Sequence, residues 1–148
     1  MNTLKIRKAS ADDAPAIAQL SGQLGYPVEA DVMRERLERF LQLEEQVVFV
    51  AETTEVVGWI HGTENELLEV GRHAAIWGLV VADGQRGKGV GRQLIDAVEQ
   101  WTRSRGLDEI SVKSNVIRPE SHPFYERLGF TRYKTQHAYR KRLALPEP

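Results

Sequence analysis

The chain has 148 residues, a formal net charge of −1, 41% hydrophobic and 28% charged residues, and no cysteine. That length supports one domain with a single core, and the near-zero charge provides no field for nucleic acid or an anionic membrane surface. The lack of cysteine excludes a thiol nucleophile, a disulfide framework and a Cys-ligated metal. No apolar run approaches the roughly 18 residues of a membrane span, and none follows Met1 as a leader would, so a cytoplasmic protein is expected.

In chain order, Thr3 to Lys8 alternates apolar and polar residues as a short strand does. Ser10 with Asp13 three positions on reads as a capping box, and Ile17, Leu20, Ser21 and Leu24 continue at helical spacing until Gly22 and Gly25-Tyr26-Pro27 interrupt. A second helix is predicted over Val28 to Leu43, with Val32, Met33, Leu37, Phe40 and Leu41 as its buried stripe. Gln46–Ala51 and Val56–Gly62 read as a hairpin, Glu64 to Arg72 as a polar loop, and Ile76 to Val81 as a buried strand. A long helix carrying Leu94, Ile95, Val98 and Trp101 on one face is closed by Gly106. A strand over Asp108–Ser114, a short helix around Tyr125, and strands over Phe130–Tyr133 and Ala138–Leu143 complete the chain. The expectation is an α+β domain spanning residues 1–148. It has a mixed, mostly antiparallel twisted sheet of about seven strands and about four helices, and one parallel crossover around the long helix.

Between the Ile76–Val81 strand and the long helix lies Arg86-Gly87-Lys88-Gly89-Val90-Gly91. A glycine-rich turn there exposes backbone N–H groups at the positive end of a helix dipole and lets a phosphate approach the main chain. The spacing fails a Walker loop, since Val90 and Gly91 stand where Lys and Ser/Thr are needed. It also fails the dinucleotide fingerprint, since Arg92 stands at the third glycine. The pattern that fits is R-x-x-G-x-G, read as Arg86, Gly89 and Gly91, an anion cradle suited to a pyrophosphate.

This loop resembles the acyl-coenzyme A pyrophosphate loop of the GNAT-type N-acetyltransferase superfamily. A second block, Pro123-Phe124-Tyr125 followed by Leu128-Gly129-Phe130, resembles that family's other signature near the C-terminus. The resemblance covers almost the whole chain. It implies a sheet in which the Ile76–Val81 and Ile110–Ser114 strands splay apart, freeing main-chain groups of Leu79, Val80 and Val81 for the pantetheine amides. It further implies acetyl-CoA as acyl donor, with Arg86, Gly87, Lys88, Gly89, Val90, Gly91 and Arg92 around its phosphates, Asn115 on the cofactor arm, and no metal. Tyr125 falls at the family's tyrosine position, where it acts as general acid toward the departing thiolate or only positions the cofactor sulfur.

The general base is left open. Many members of the family carry a glutamate on the strand before the cradle, whereas this chain reads His73-Ala74-Ala75-Ile76-Trp77-Gly78-Leu79. His61, His73, His122, Glu66, Glu69 or a water relay are the candidates. Arg118 either binds a cofactor phosphate or substrate carboxylate, or pairs on the surface with Glu120 or Glu126. Glu64, Glu66 and Glu69 either line a solvated loop or draw in a cationic amine. Trp59, Trp77 and Trp101 read as core or near-core aromatics. A Trp77 in the cleft would instead favour an amine with an apolar or aromatic body, or a cation on its face.

The function expected from the resemblance is acetyl transfer to a primary amine, of a small molecule first and of a peptide second, by direct attack in a ternary complex. The competing reading is a non-catalytic acyl-CoA sensor. A homodimer is expected by resemblance, and Arg140-Lys141-Arg142 is too short to argue for nucleic acid.

Overall fold

Strands β1 (Lys5–Lys8), β2 (Gln46–Glu52), β3 (Val56–Leu67), β4 (Gly71–Val81) and β5 (Ile110–Val112) form one sheet in that spatial order. This is a computed structural model, which describes residues 3–113 and 121–147. The first three neighbouring pairs are antiparallel and β4–β5 is parallel, the expected mixed sheet. A single 3-10 turn (Ala11–Asp13) and helices α1 (Ala14–Gln23), α2 (Ala30–Phe40), α3 (Val90–Ser104) and α4 (Ser121–Arg127) complete the elements among the described residues. Residues 1–113 make one compact unit, which holds the sheet and the first three helices, and residues 114–148 make a second, which holds α4. No helix among the described residues is long and apolar enough to cross a membrane.

The helix α3 is seated by two glycines on one face of β3. A β-carbon at Gly58 would stand 3.0 Å from the Val80 carbonyl oxygen and 3.2 Å from both Leu94 Cδ1 and Val90 Cγ1. At Gly62 it would meet Val47 and Val98 methyls at 3.2 Å. With Ile60 between them on the same face, these glycines let the buried Val90, Leu94, Ile95 and Val98 press directly on the sheet. On the other face, Ala14, Ile17 and Leu37 pack with Val48 and Val50, and Trp59 closes that cluster.

The Ser10–Asp13 cap forms, with the Ser10 N–H donating to Asp13 Oδ2 at 2.8 Å. The same carboxylate receives a bidentate Arg7 guanidinium at 2.8 and 2.9 Å, and Arg7 also reaches Glu52 at 3.2 Å. One cation thus ties β1, the start of α1 and the end of β2, and holds the Asp13 carboxyl below the usual carboxylate range.

Three expectations are corrected. The segment 64–72 is not a loop: β3 runs on to Leu67 and β4 starts at Gly71, with Glu66 opposite Arg72. Polar residues misled the reading because a hairpin arm is held by its ladder, not by apolar content. The stripe of α2 is narrower than expected, with Leu37 buried but Val32 and Leu41 at 38% and 44% exposure. Among the described residues the sheet has five strands, not seven: 130–147 contains no strand and 131–147 is exposed throughout. The alternation around Tyr133 and Tyr139 is strand-like, but a strand exists only against a partner edge, which a pattern does not provide.

Replacing Gly58 with Val is expected to lower stability in urea by about 1–3 kcal/mol, because Val80 and α3 have no room to retreat. An unchanged urea midpoint contradicts the tight seating of α3.

Candidate functional site

The β4–β5 ladder is short. Among the described residues it pairs Ala74 with Ile110, Ala75 with Ser111 and Ile76 with Val112. At the same point the β3–β4 register shifts: His61 faces Gly78 and Gly62 faces Ile76, so Trp77 is an extra, bulged residue. Beyond the bulge the ladder with β3 is regular again, and the Ala82 N–H donates to the Val57 oxygen at 2.8 Å. By antiparallel alternation Ala82 and Val80 spend their main-chain groups on β3, while Leu79 and Val81 turn theirs to the opposite edge. Among the described residues no strand pairs with that edge. A row of outward N–H and C=O groups is thus open at β4, of which Leu79 and Val81, but not the buried Val80, supply the main-chain donors and acceptors.

The open edge leads straight into the glycine loop. Gly84, Gly87 and Gly89 have φ of +86°, +81° and +81°, and a β-carbon at any of them would meet nothing within 4 Å. The constraint there is the left-handed backbone, with open space above it. Gly89 is the N-cap of α3, without a side-chain cap and without an acid in the first turn, so the helix offers its first N–H groups to the outside. Val90 is 3% exposed and fixes that end to the sheet, while Gly91 continues the first turn. Arg86, Lys88 and Arg92 are exposed around the loop; Arg86 lies 3.6 Å from Asp83, and the Asp83 N–H donates to Gln23 Oε1 at 3.3 Å. Exposed positive side chains, a helix N-terminus and unhindered amides lie together in one loop, a combination that suits a multiply charged phosphate. An extended amide-bearing arm matches the adjacent β4 edge.

Tyr125 lies on α4 in the second unit, in edge contact with Phe124 at 5.2 Å and Phe130 at 5.8 Å between ring centroids. Gly129 at φ +93° closes the helix, with the Phe130 N–H donating to the Tyr125 carbonyl oxygen. Burial raises the Tyr125 phenol above its ordinary pKa, so it carries its proton at neutral pH. His122 shares this helix. Asn115 and Arg118 fall outside the described residues.

The base candidates of the first unit have separate places. His61 Nε2 is 2.6 Å from Gln46 Oε1, its ring stacks on Phe40 at 5.2 Å, and burial lowers its pKa. His73 is 7% exposed, with Nδ1 3.3 Å from the Gly71 oxygen. Glu66 is exposed on the hairpin arm, about 17 Å along β3 from His61 at the usual strand rise, and Glu69 is exposed in the turn beyond it. Glu64 is held below the ordinary carboxylate range by hydrogen bonds from Arg105 and Arg72. Among the described residues no group of three His, Asp or Glu side chains could hold a metal.

Trp77 is not a core residue. It is 53% exposed, its indole N–H donates to Thr63 Oγ1 at 2.6 Å, and Thr63 donates to Asn65 Oδ1 at 2.6 Å. Trp59 lies across Gly78, where a β-carbon would stand 2.6 Å from its ring. No motif marks Gln46, Thr63, Asn65 or Lys113; only the register of β2, β3, β4 and β5 brings them to this region.

The acetyltransferase (GNAT) family model matches residues 14–130. Over 136 residues the chain is 35% identical to an aminoglycoside N(6')-acetyltransferase type 1 of Stenotrophomonas maltophilia, covering 84% of each. It is 29% identical over 133 residues to an uncharacterized N-acetyltransferase of Bacillus subtilis, covering 88% of this chain and 91% of that one. A solved aminoglycoside N-acetyltransferase in complex with CoA has the same fold, with a TM-score of 0.86 over 97% of each chain at 23% identity.

The depressed His61 pKa predicts a folded-state titration midpoint below 6.5 in an NMR pH series. Its stabilising contribution is complete above the unfolded value and is lost as pH falls through the folded one. A midpoint at or above 6.5 contradicts the neutral, buried ring.

Proposed function

The chain belongs to the acetyltransferase (GNAT) family, and on that premise we propose that it transfers the acetyl group of acetyl-CoA directly to the primary amine of a small molecule. The observation that carries the reading is the continuity of the open β4 edge with the glycine cradle. One faces amides, the other phosphates, and they follow each other without a break from Leu79 to Gly91. The family match spans residues from both compact units, which supports residues 1–148 acting as one domain. The aminoglycoside acetyltransferase among the relatives supports a small-molecule amine.

Acetyl-CoA supplies an activated acyl carbon and a thiolate leaving group. In this reading Leu79 and Val81 pair with the pantetheine amides. Gly87, Gly89, Val90 and Gly91 donate main-chain N–H bonds to the pyrophosphate, and Arg86, Lys88 and Arg92 balance its charge. Asn115 contacts the cofactor arm. A backbone N–H at the open edge of β4 stabilises the oxyanion as the amine attacks. The new C–N bond forms, the C–S bond breaks, and Tyr125 gives its proton to the sulfur. Solvent relays the amine's proton, since the β4 stretch has no carboxylate. With no cysteine in the chain, no acyl-cysteine intermediate lies on the route.

Thiol release from acetyl-CoA, followed against a panel of amines, amino acids, polyamines and peptides, tests the reading. Amine-dependent release is the expected result. CoA binding without release on any acceptor would favour an acyl-CoA sensor instead. Tyr125→Phe is expected to lower kcat by about 10²-fold with little change in the KM for acetyl-CoA; unchanged kcat removes the acid role. Gly89→Asn tolerates the left-handed backbone but places a side chain over the cradle, and is expected to weaken CoA binding about 10-fold or more. Unchanged affinity contradicts the phosphate assignment.

A further inference from the structure

Trp77 and Lys113 are the residues immediately after the last paired rung of the parallel ladder, Ile76 opposite Val112. They stand on either side of the fork where β4 and β5 part. The Lys113 ammonium lies over the Trp77 ring, 5.4 Å from its centroid. Such an indole is unusual on a sheet: it is 53% exposed, yet held in one orientation by the Thr63–Asn65 hydrogen-bond chain. A rigid, solvent-facing aromatic ring loses little entropy when a second ring stacks on it. Lys113 pairs with no carboxylate among the described residues.

Resting on the acetyltransfer reading above, we propose that Trp77 and Lys113 form the acceptor-recognition site, and that it takes primary amines built on a planar ring with an anionic substituent. The ring of such an acceptor stacks on Trp77, and its acidic group pairs with Lys113. A polycationic acceptor has no acid to pair with Lys113, and its further positive charge is repelled by that ammonium. Glu64 of the neighbouring arm is committed to Arg72 and Arg105, and does not offset that repulsion.

The test is calorimetric titration of CoA-saturated protein with para-aminomethylbenzoate, benzylamine and spermidine, so that the readout does not depend on turnover. Binding in that order of decreasing affinity is expected. Trp77→Leu is expected to weaken para-aminomethylbenzoate about 10-fold and Trp77→Phe to restore most of the loss. Lys113→Gln is expected to erase a preference of about 3-fold for the carboxylate-bearing ring over benzylamine. Unchanged melting temperature in all three variants verifies that an exposed ring and an exposed ammonium were removed without harm to the fold. Spermidine binding as tightly as the ring amines, or Trp77→Leu binding them like the wild type, overturns the inference while leaving CoA binding and the acetyltransfer reading in place. Absence of CoA binding itself would overturn that reading, and the inference with it.

Discussion

Three rungs of parallel pairing between β4 and β5, from Ala74 to Ile76, and the bulge that follows them at Trp77 govern the rest of this molecule. Were the outward edge of β4 paired beyond them, Leu79 and Val81 would spend their amides and carbonyls on a neighbouring strand, and β4 would present no edge there. The bulge at Trp77 works against such pairing, because one extra residue turns the strand locally and breaks the alternation that a neighbour must match. Gly78 has a supporting part: any side chain there would collide with Trp59, whose ring lies flat over β4 on the face shared with α2.

The cradle depends on the opposite face. Its loop carries three left-handed glycines with open space above, and only light contacts tie it down: the Asp83 N–H to Gln23 and the Gln85 N–H to the Ala82 oxygen. Its position is set by α3, whose buried Val90, Leu94 and Val98 rest against Gly58 and Gly62. The same strand, β3, thus supports both the loop and the open edge: its glycines carry the helix, and its ladder with β4 aims Leu79 and Val81 outward. Exposed Arg86, Lys88 and Arg92 add charge to a place the backbone has already made, and screened surface cations of this kind add less than the fixed amides do.

Much of this was legible from residue order. The glycine spacing after an apolar strand, the amphipathic face of α3 and the aromatic block around Tyr125 are local signals, and each corresponds to an element of the structure. The capping box at Ser10 and Asp13 is likewise local. What was not legible depends on pairing. Residues 64–72 look like a loop because their polar side chains carry no information about the ladder that holds them. The expected strands near Tyr133 and Tyr139 fail for the complementary reason, a strand-like pattern without a paired edge. Trp77 was read as core because an apolar neighbourhood in sequence, Ala74 to Val81, hides the single residue that the bulge turns out to solvent. Its partners Thr63, Asn65 and Lys113 sit on other strands or just beyond them and share no motif.

The central claim is that one continuous stretch of main chain, from β4 into α3, receives the acyl donor. Amide hydrogen exchange of the whole protein, with and without saturating CoA, reads those N–H groups directly. The account predicts slowed exchange at Leu79, Val81 and the amides from Gly87 to Gly91, with little change at Val80, whose N–H is already committed to β3. CoA binding accompanied by protection elsewhere, with this stretch unaltered, would contradict it.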